Sequence, residues 1–277
     1  MAEPSSDVTP AVLLRRRVES DPSRPLVTFY DDRTGERVEL SAKTFDNWVA
    51  KTANLLVDGL GAAPGDRVVP ALPPHWQTAV WLMASWAAGL VVEPVDPAGP
   101  FVPGEPVSAS GPYILAAAEE ALEDLANDPE ADEVVGLSLH ALGGPLSSAP
   151  AGVTDYAVEV RAYGDRFVPD TGVTSESPAL TVTNTTFSAA ELVREATVAA
   201  EKWGLDAQDR VLVDMSYTTL GGLLTGLLAP LASGASVIIQ RNFDKDSLDR
   251  RVSLEHVTAV GGVSGWNDES GSVRRLA

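Results

Sequence analysis

Apolar positions along the chain alternate between stripes at helical spacing and short continuous runs, and this rhythm predicts helices and strands in turn. After a polar leader, Ala11 to Ser20 reads as a short helix, with Thr9 as its cap and Pro10 at its first position. Pro25–Tyr30 and Arg37–Leu40 read as strands joined by the turn Arg33-Thr34-Gly35-Glu36. Ser41 caps the next helix, where Phe45, Trp48, Val49, Thr52, Leu55, Leu56 and Leu60 keep one face apolar. Asp66–Ala71 is a strand, Trp76–Ala87 a second amphipathic helix, and Leu90–Val95 an apolar run of buried-strand type.

The middle of the chain carries a weaker pattern. Residues 98–112 are rich in Pro, Gly and Ser and read as a loop. Ala116 to Leu125 reads as a helix, with Glu119, Glu120, Glu123 and Asp124 facing water. Residues 141–152 form the best linker candidate. The rhythm resumes with a strand at Ala179–Thr183 and a helix capped by Ser188, in which Glu191 completes a capping box. Asp209–Val213 is a strand, Gly222–Leu231 an apolar helix closed by Gly234, Ala235–Gln240 a buried strand, and His256–Val260 the last strand before a polar tail. Strand–helix alternation of this kind builds mostly parallel sheets covered on both faces. The expected fold class is therefore α/β, in two related lobes spanning 10–150 and 151–264, with flexible ends at 1–9 and 265–277.

Composition narrows the classes of function. The 277 residues carry a net charge of −19, which repels phosphate backbones and anionic membranes and argues against both as partners. Cysteine is absent, which excludes disulfides and thiolate chemistry, and the three histidines lie far apart in sequence, so no metal site is expected. Arg15, Arg16 and Arg17 fan around a helix and are expected to be solvated. The start lacks a basic region followed by an apolar run, and Ala79–Val92 is too short to span a bilayer, so a cytoplasmic location is expected. No Gly-x-Ser-x-Gly, Gly-x-Gly-x-x-Gly or His-Glu-x-x-His pattern occurs.

A set of longer segments carries a resemblance. Gly61-Ala62-Ala63-Pro64-Gly65-Asp66-Arg67-Val68 looks like a Gly-x-x-Pro-Gly-Asp-x-Val turn, and Trp81 through Pro97 like an apolar helix followed by Ala-Gly and Pro-x-x-Pro. Ala207–Leu212, Pro230–Ile238, Phe243-Asp244, Val257-Thr258 and Gly262-Val263 continue the series. In this order and spacing, the chain resembles the amino-terminal part of the adenylate-forming enzymes, the acyl-CoA synthetase and luciferase superfamily. It is also similar to short actinobacterial proteins of acyl-CoA synthetase-like type. The resemblance implies the layered α/β fold of that amino-terminal domain, in which the earliest strands can pack with the second lobe. It also implies that the carboxy-terminal lid domain, the adenine-binding segment and the ribose-binding aspartate are absent, since the polar tail follows where they would begin.

The functional segments depart from the family. A phosphate loop aims glycine backbone N–H groups at phosphate oxygens and supplies a lysine. Laid without gaps on that pattern, Gly172 and Thr174 match, while Ser175 takes the middle glycine, Pro178 the lysine and Ala179 the last glycine. Pro178 brings neither charge nor N–H, and Glu176 adds a negative charge. A second placement deletes the loop and takes Ala179–Asn184 as the strand before it. Thr171, Gly172, Thr174 and Ser175 are thus candidate remnants of a nucleotide site, and Tyr217, Thr219, Gly221 and Gly222 of an acyl pocket, where Thr219 replaces the family's histidine. For Gly222 and Gly226 the structural alternative is close helix packing. The resemblance implies a catalytically inactive, truncated homologue that binds a protein partner, a second copy of itself or a small acyl or nucleotide ligand. No cofactor is expected, residual ATP or AMP binding aside. The alternative is an adenylating enzyme completed by another chain.

Overall fold

The computed structural model describes residues 8–108, 111–266, 268 and 271–276. Helix α1 (Pro10–Ser20) starts as expected, with Thr9 accepting from the Val12 N–H. Strands β1 (Pro25–Asp31) and β2 (Glu36–Ser41) form an antiparallel hairpin. Helix α2 (Ala42–Asn54), capped by Ser41, runs on through a π-helical turn at Leu55–Gly59. Then follow β3 (Arg67–Ala71), α3 (Trp76–Ala87), a short β4 (Val91–Val92) and β5 (Tyr113–Ala118). Helix α4 (Leu122–Leu125), β6 (Ala131–Leu137), β7 (Val153–Asp155) and α5 (Tyr156–Glu159) complete the middle of the chain. The second half contains β8 (Pro178–Val182), β9 (Thr185–Ser188), α6 (Ala189–Trp203) and β10 (Arg210–Val213). Helix α7 (Leu220–Leu223) passes through a π turn into α8 (Ala229–Ser233), followed by β11 (Ser236–Arg241), α9 (Leu248–Leu254), β12 (Ala259–Gly261) and β13 (Arg274–Leu276).

Two sheets result, in the orders β7-β6-β5-β3-β4-β8-β9 and β13-β12-β10-β11-β1-β2. Each is parallel except for one hairpin, β8–β9 in the first and β1–β2 in the second. The largest core takes residues from α1, α2, α3, α6 and α8 together with one face of both sheets, so these helices form a layer between them. Two smaller cores cover the outer faces, one under α4 and the 95–107 loop, the other under α9. Phe45, Leu56 and Trp81 are buried in the central layer. Each large apolar side chain buried in this way contributes roughly 1.5–3 kcal/mol.

This layering corrects several expectations. The sheets do not divide the chain at 150/151: β1 and β2 join the second sheet, as the family resemblance allows, while β7, β8 and β9 join the first. Helix α3 is buried on every side instead of one, because it sits between two sheets. The helix expected over Ala116–Leu125 begins as strand, since Tyr113–Ala118 is a central strand flanked by β3 and β6 and its alanines fit a crowded interior. The 141–152 segment is tied down: Trp76 donates to the Ala141 carbonyl at 3.0 Å, and Arg161 to that of Gly143 at 2.9 Å. Arg17 is buried and donates to the Asp21 carbonyl, whereas Arg15 and Arg16 are exposed. The 265–277 end is not simply a free tail. Its residues 274–276 add strand β13, pinned by Arg274, which donates to the carbonyls of Trp203 and Gly204 and pairs with Asp209. Residues 1–7 lie outside the described residues.

Candidate functional site

The segment offered by the ungapped phosphate-loop placement is folded onto itself. Asp170 accepts from the Gly172 N–H at 2.7 Å through its side chain and from Val173 at 3.1 Å through its carbonyl. The Thr174 N–H goes to the Ser177 hydroxyl at 3.0 Å, and the Ser177 N–H returns to the Thr174 carbonyl at 3.2 Å. Four N–H groups that could have faced a phosphate are thereby taken. The carbonyls of Ser175 and Ser177 accept from Ala190 at 2.7 Å and Ala189 at 3.0 Å, which occupies the first N–H groups of α6. Ser188 and Glu191 close the same helix end as a capping box. Thr171, Gly172 and Thr174 are exposed and Ser175 is buried.

Pro178 and Ala179, which that placement gives to the lysine and the last glycine, are the first two residues of β8. Strand β8 then turns directly into β9. Val182 pairs with Thr185, leaving Thr183 and Asn184 as a two-residue turn with φ of 50° and 60°. Such left-handed pairs close tight hairpins, and the β-branched Thr183 is an uncommon residue in that conformation. The strand expected over Ala179–Asn184 in the loop-deleted placement is thus present only as far as Val182, because Thr183 and Asn184 form the turn.

Tyr217, Thr219, Gly221 and Gly222 come together as the start of α7. The Tyr217 hydroxyl donates to the Gly226 carbonyl at 3.2 Å, and burial pushes its ionisation upward. Thr219 caps the helix by accepting from the Gly222 N–H at 3.1 Å, and the Gly221 carbonyl accepts from Thr225 at 2.8 Å. A Cβ on Gly222 would overlap the Ser216 carbonyl oxygen, and one on Gly226 would come 2.8 Å from the Tyr217 ring. These glycines admit a loop and a ring against the helix, which differs from the helix–helix contact expected for them.

A crevice of about 520 Å³ opens elsewhere, lined by the carboxyl ends of strands from both sheets. Pro73 and Pro74 follow β3, Pro97, Ala98, Gly99 and Phe101 follow β4, and Ala118 ends β5. Opposite them stand Asp214 just after β10, Gln240 to Asn242 at the end of β11, and Arg33 in the β1–β2 turn. Open α/β sheets hold their ligands at such strand ends. Arg241 reaches across to Glu120 at 2.9 Å and so links the two sheets. Below, Arg251 pairs with Asp32, donates to the Gln240 side-chain carbonyl and lies over the Tyr30 ring. None of the eight positions singled out from sequence lines this crevice. Asp214 and Arg241 were missed, and the available signal was their place at the carboxyl ends of apolar runs.

Comparison with known proteins places the chain. Residues 14–142 match the family described as AMP-binding enzyme. A TIGR03089 family protein of Mycobacterium tuberculosis (strain ATCC 25618 / H37Rv) is 40% identical over 252 residues, covering 90% of this chain and 96% of the relative. The chain belongs to the TIGR03089 family. Its fold is shared with the Brucella canis acyl-CoA synthetase (TM-score 0.72, 16% identity, 94% of this chain and 48% of that one). It is likewise shared with a benzoate CoA ligase from Burkholderia xenovorans LB400 (0.72, 16%, 96% and 54%). The acetoacetyl-CoA synthetase of Streptomyces lividans gives 0.72 at 20% identity, over 92% of this chain and 42% of that one. The chain thus spans about half the length of these solved structures and has the fold of the amino-terminal domain of adenylate-forming enzymes. Among the described residues of this TIGR03089 member, no group of three or more His, Asp or Glu could hold a metal ion, and no helix is long and apolar enough to cross a membrane.

Proposed function

We propose that this protein uses the adenylate-forming scaffold to bind a small ligand in the crevice between its two sheets, without forming adenylates there. One observation carries the reading. The N–H groups of Gly172, Val173, Thr174 and Ser177 are all spent inside their own loop, and the β8–β9 connection is a two-residue turn. Adenylation draws its rate from donors and cations preorganised around the triphosphate. Here neither position offered for the phosphate loop has a free backbone donor row or a lysine. The crevice, in contrast, is of ligand size and sits where α/β sheets place their ligands.

The test is ATP–pyrophosphate exchange with a panel of aliphatic, aromatic and amino acids. No exchange above the protein-free blank is expected. Protein-dependent exchange with any of these acids would overturn the proposal.

A further inference from the structure

The polar groups of the crevice are unevenly matched. Arg241 is engaged by Glu120, and Arg251 beneath it by Asp32 and Gln240. The side chain of Asp214 lines the crevice half-buried and makes no hydrogen bond or ion pair among the described residues. Burial and the nearby Asp32 both push its carboxyl upward, the signature of a carboxylate short of a counter-charge. Beside it, Gln240 is only 1% exposed, and its side-chain nitrogen is buried with no partner among the described residues. The other cation on the lining, Arg33, sits on the exposed hairpin turn, and its side chain makes no hydrogen bond or ion pair among the described residues. Counted together, the lining carries Asp214, Glu120 and Asp124 against Arg33 and Arg241, within a chain of net charge −19.

Given that the crevice holds a ligand, the reading on which this rests, we infer that the ligand is a small primary amine whose ammonium group pairs with Asp214. Pro73, Pro74, Phe101 and Ala118 give its carbon chain an apolar wall. An unpaired, half-buried carboxylate is costly until a cation joins it, so the preference for positive charge is built into the crevice. The field of the acidic chain adds to it.

Two probes of equal length and opposite charge, butylamine and butyrate, decide the matter when titrated into the full chain by NMR chemical-shift mapping. Butylamine should shift resonances at the strand ends around Asp214, and butyrate should bind at least tenfold more weakly. Asp214→Asn should weaken butylamine at least tenfold while far-UV circular dichroism and melting temperature show it folded. Ala98→Trp, at an exposed loop position on the crevice lining, should block the amine without touching Asp214. Equal or tighter binding of butyrate, an Asp214→Asn affinity within twofold of the parent, or no binding of butylamine would each overturn the inference. Butyrate binding alone would leave a ligand-binding crevice in place, and only pyrophosphate exchange would show that the crevice adenylates.

Discussion

The 170–177 loop and the crevice between the sheets are opposite solutions to one problem, how to place polar groups at the ends of apolar elements. In the loop, donors and acceptors close on each other, with Asp170 serving Gly172 and Ser177 serving Thr174. In the crevice, Asp214 and the Gln240 amide nitrogen are left without partners among the described residues. A satisfied group gains little from a ligand, because binding would exchange one hydrogen bond for another. An unsatisfied one gains the whole difference. Hence resemblance to a binding motif is a poorer guide to ligand capacity than the count of unspent groups.

The comparison breaks most visibly if the loop is loosened. Gly89 ends α3 at φ +76°, and a Cβ there would overlap the Cγ2 of Val173. Gly89→Val adds backbone strain and overpacking, and should cost about 3 kcal/mol by urea unfolding. Adding Val173→Ala should return part of that loss, since it removes the overlap and leaves the strain. Loss of less than about 1 kcal/mol in Gly89→Val would mean the loop is only loosely docked. A smaller effect probes its internal bonds. Asp170→Ala removes the acceptor for Gly172, and a thermal melt should register about 1 kcal/mol of destabilisation. No change would show that the Gly172 N–H is effectively free, as a phosphate cradle requires.

Much of the fold was legible because local signals agreed with the tertiary ones. Thr9, Ser41 and Ser188 cap the helices expected of them, and the β1–β2 hairpin and β10 fall where apolar runs predict. Signals failed where packing overrode propensity. Ala116, Ala117 and Ala118 favour a helix in isolation, yet they pair with Pro70, Ala71 and β6 in the middle of a sheet. His256 could not open a strand, because it holds a left-handed φ of 51°. The 170–177 segment could be singled out because it is one contiguous stretch, in which no lysine or arginine occurs. The crevice could not be, since its parts meet only through topology: Arg241 and Glu120 are 121 residues apart.

The finest test concerns the crevice alone and turns on sign. Asp214 has its carboxyl raised above the usual 3.8 by burial and by Asp32. Between 3.8 and that raised value the folded chain binds more protons than the unfolded one, so stability falls as pH rises through this window. The penalty is complete above the window and absent below it. The other charges nearby are Arg241, held by Glu120, Arg251, held by Asp32, and Asp124 and Arg33 on the crevice lining. Asp214→Asn keeps the shape and removes the charge. It should therefore gain a few tenths of a kcal/mol at pH 7, the usual scale of partly exposed charge changes, and the gain should shrink as the buffer approaches pH 4. Paired urea titrations at the two pH values measure that difference directly. A variant less stable than its parent at pH 7 would mean that the fold already supplies Asp214 with a cation. The crevice would then be closed in the same sense as the loop, with nothing left over for a ligand.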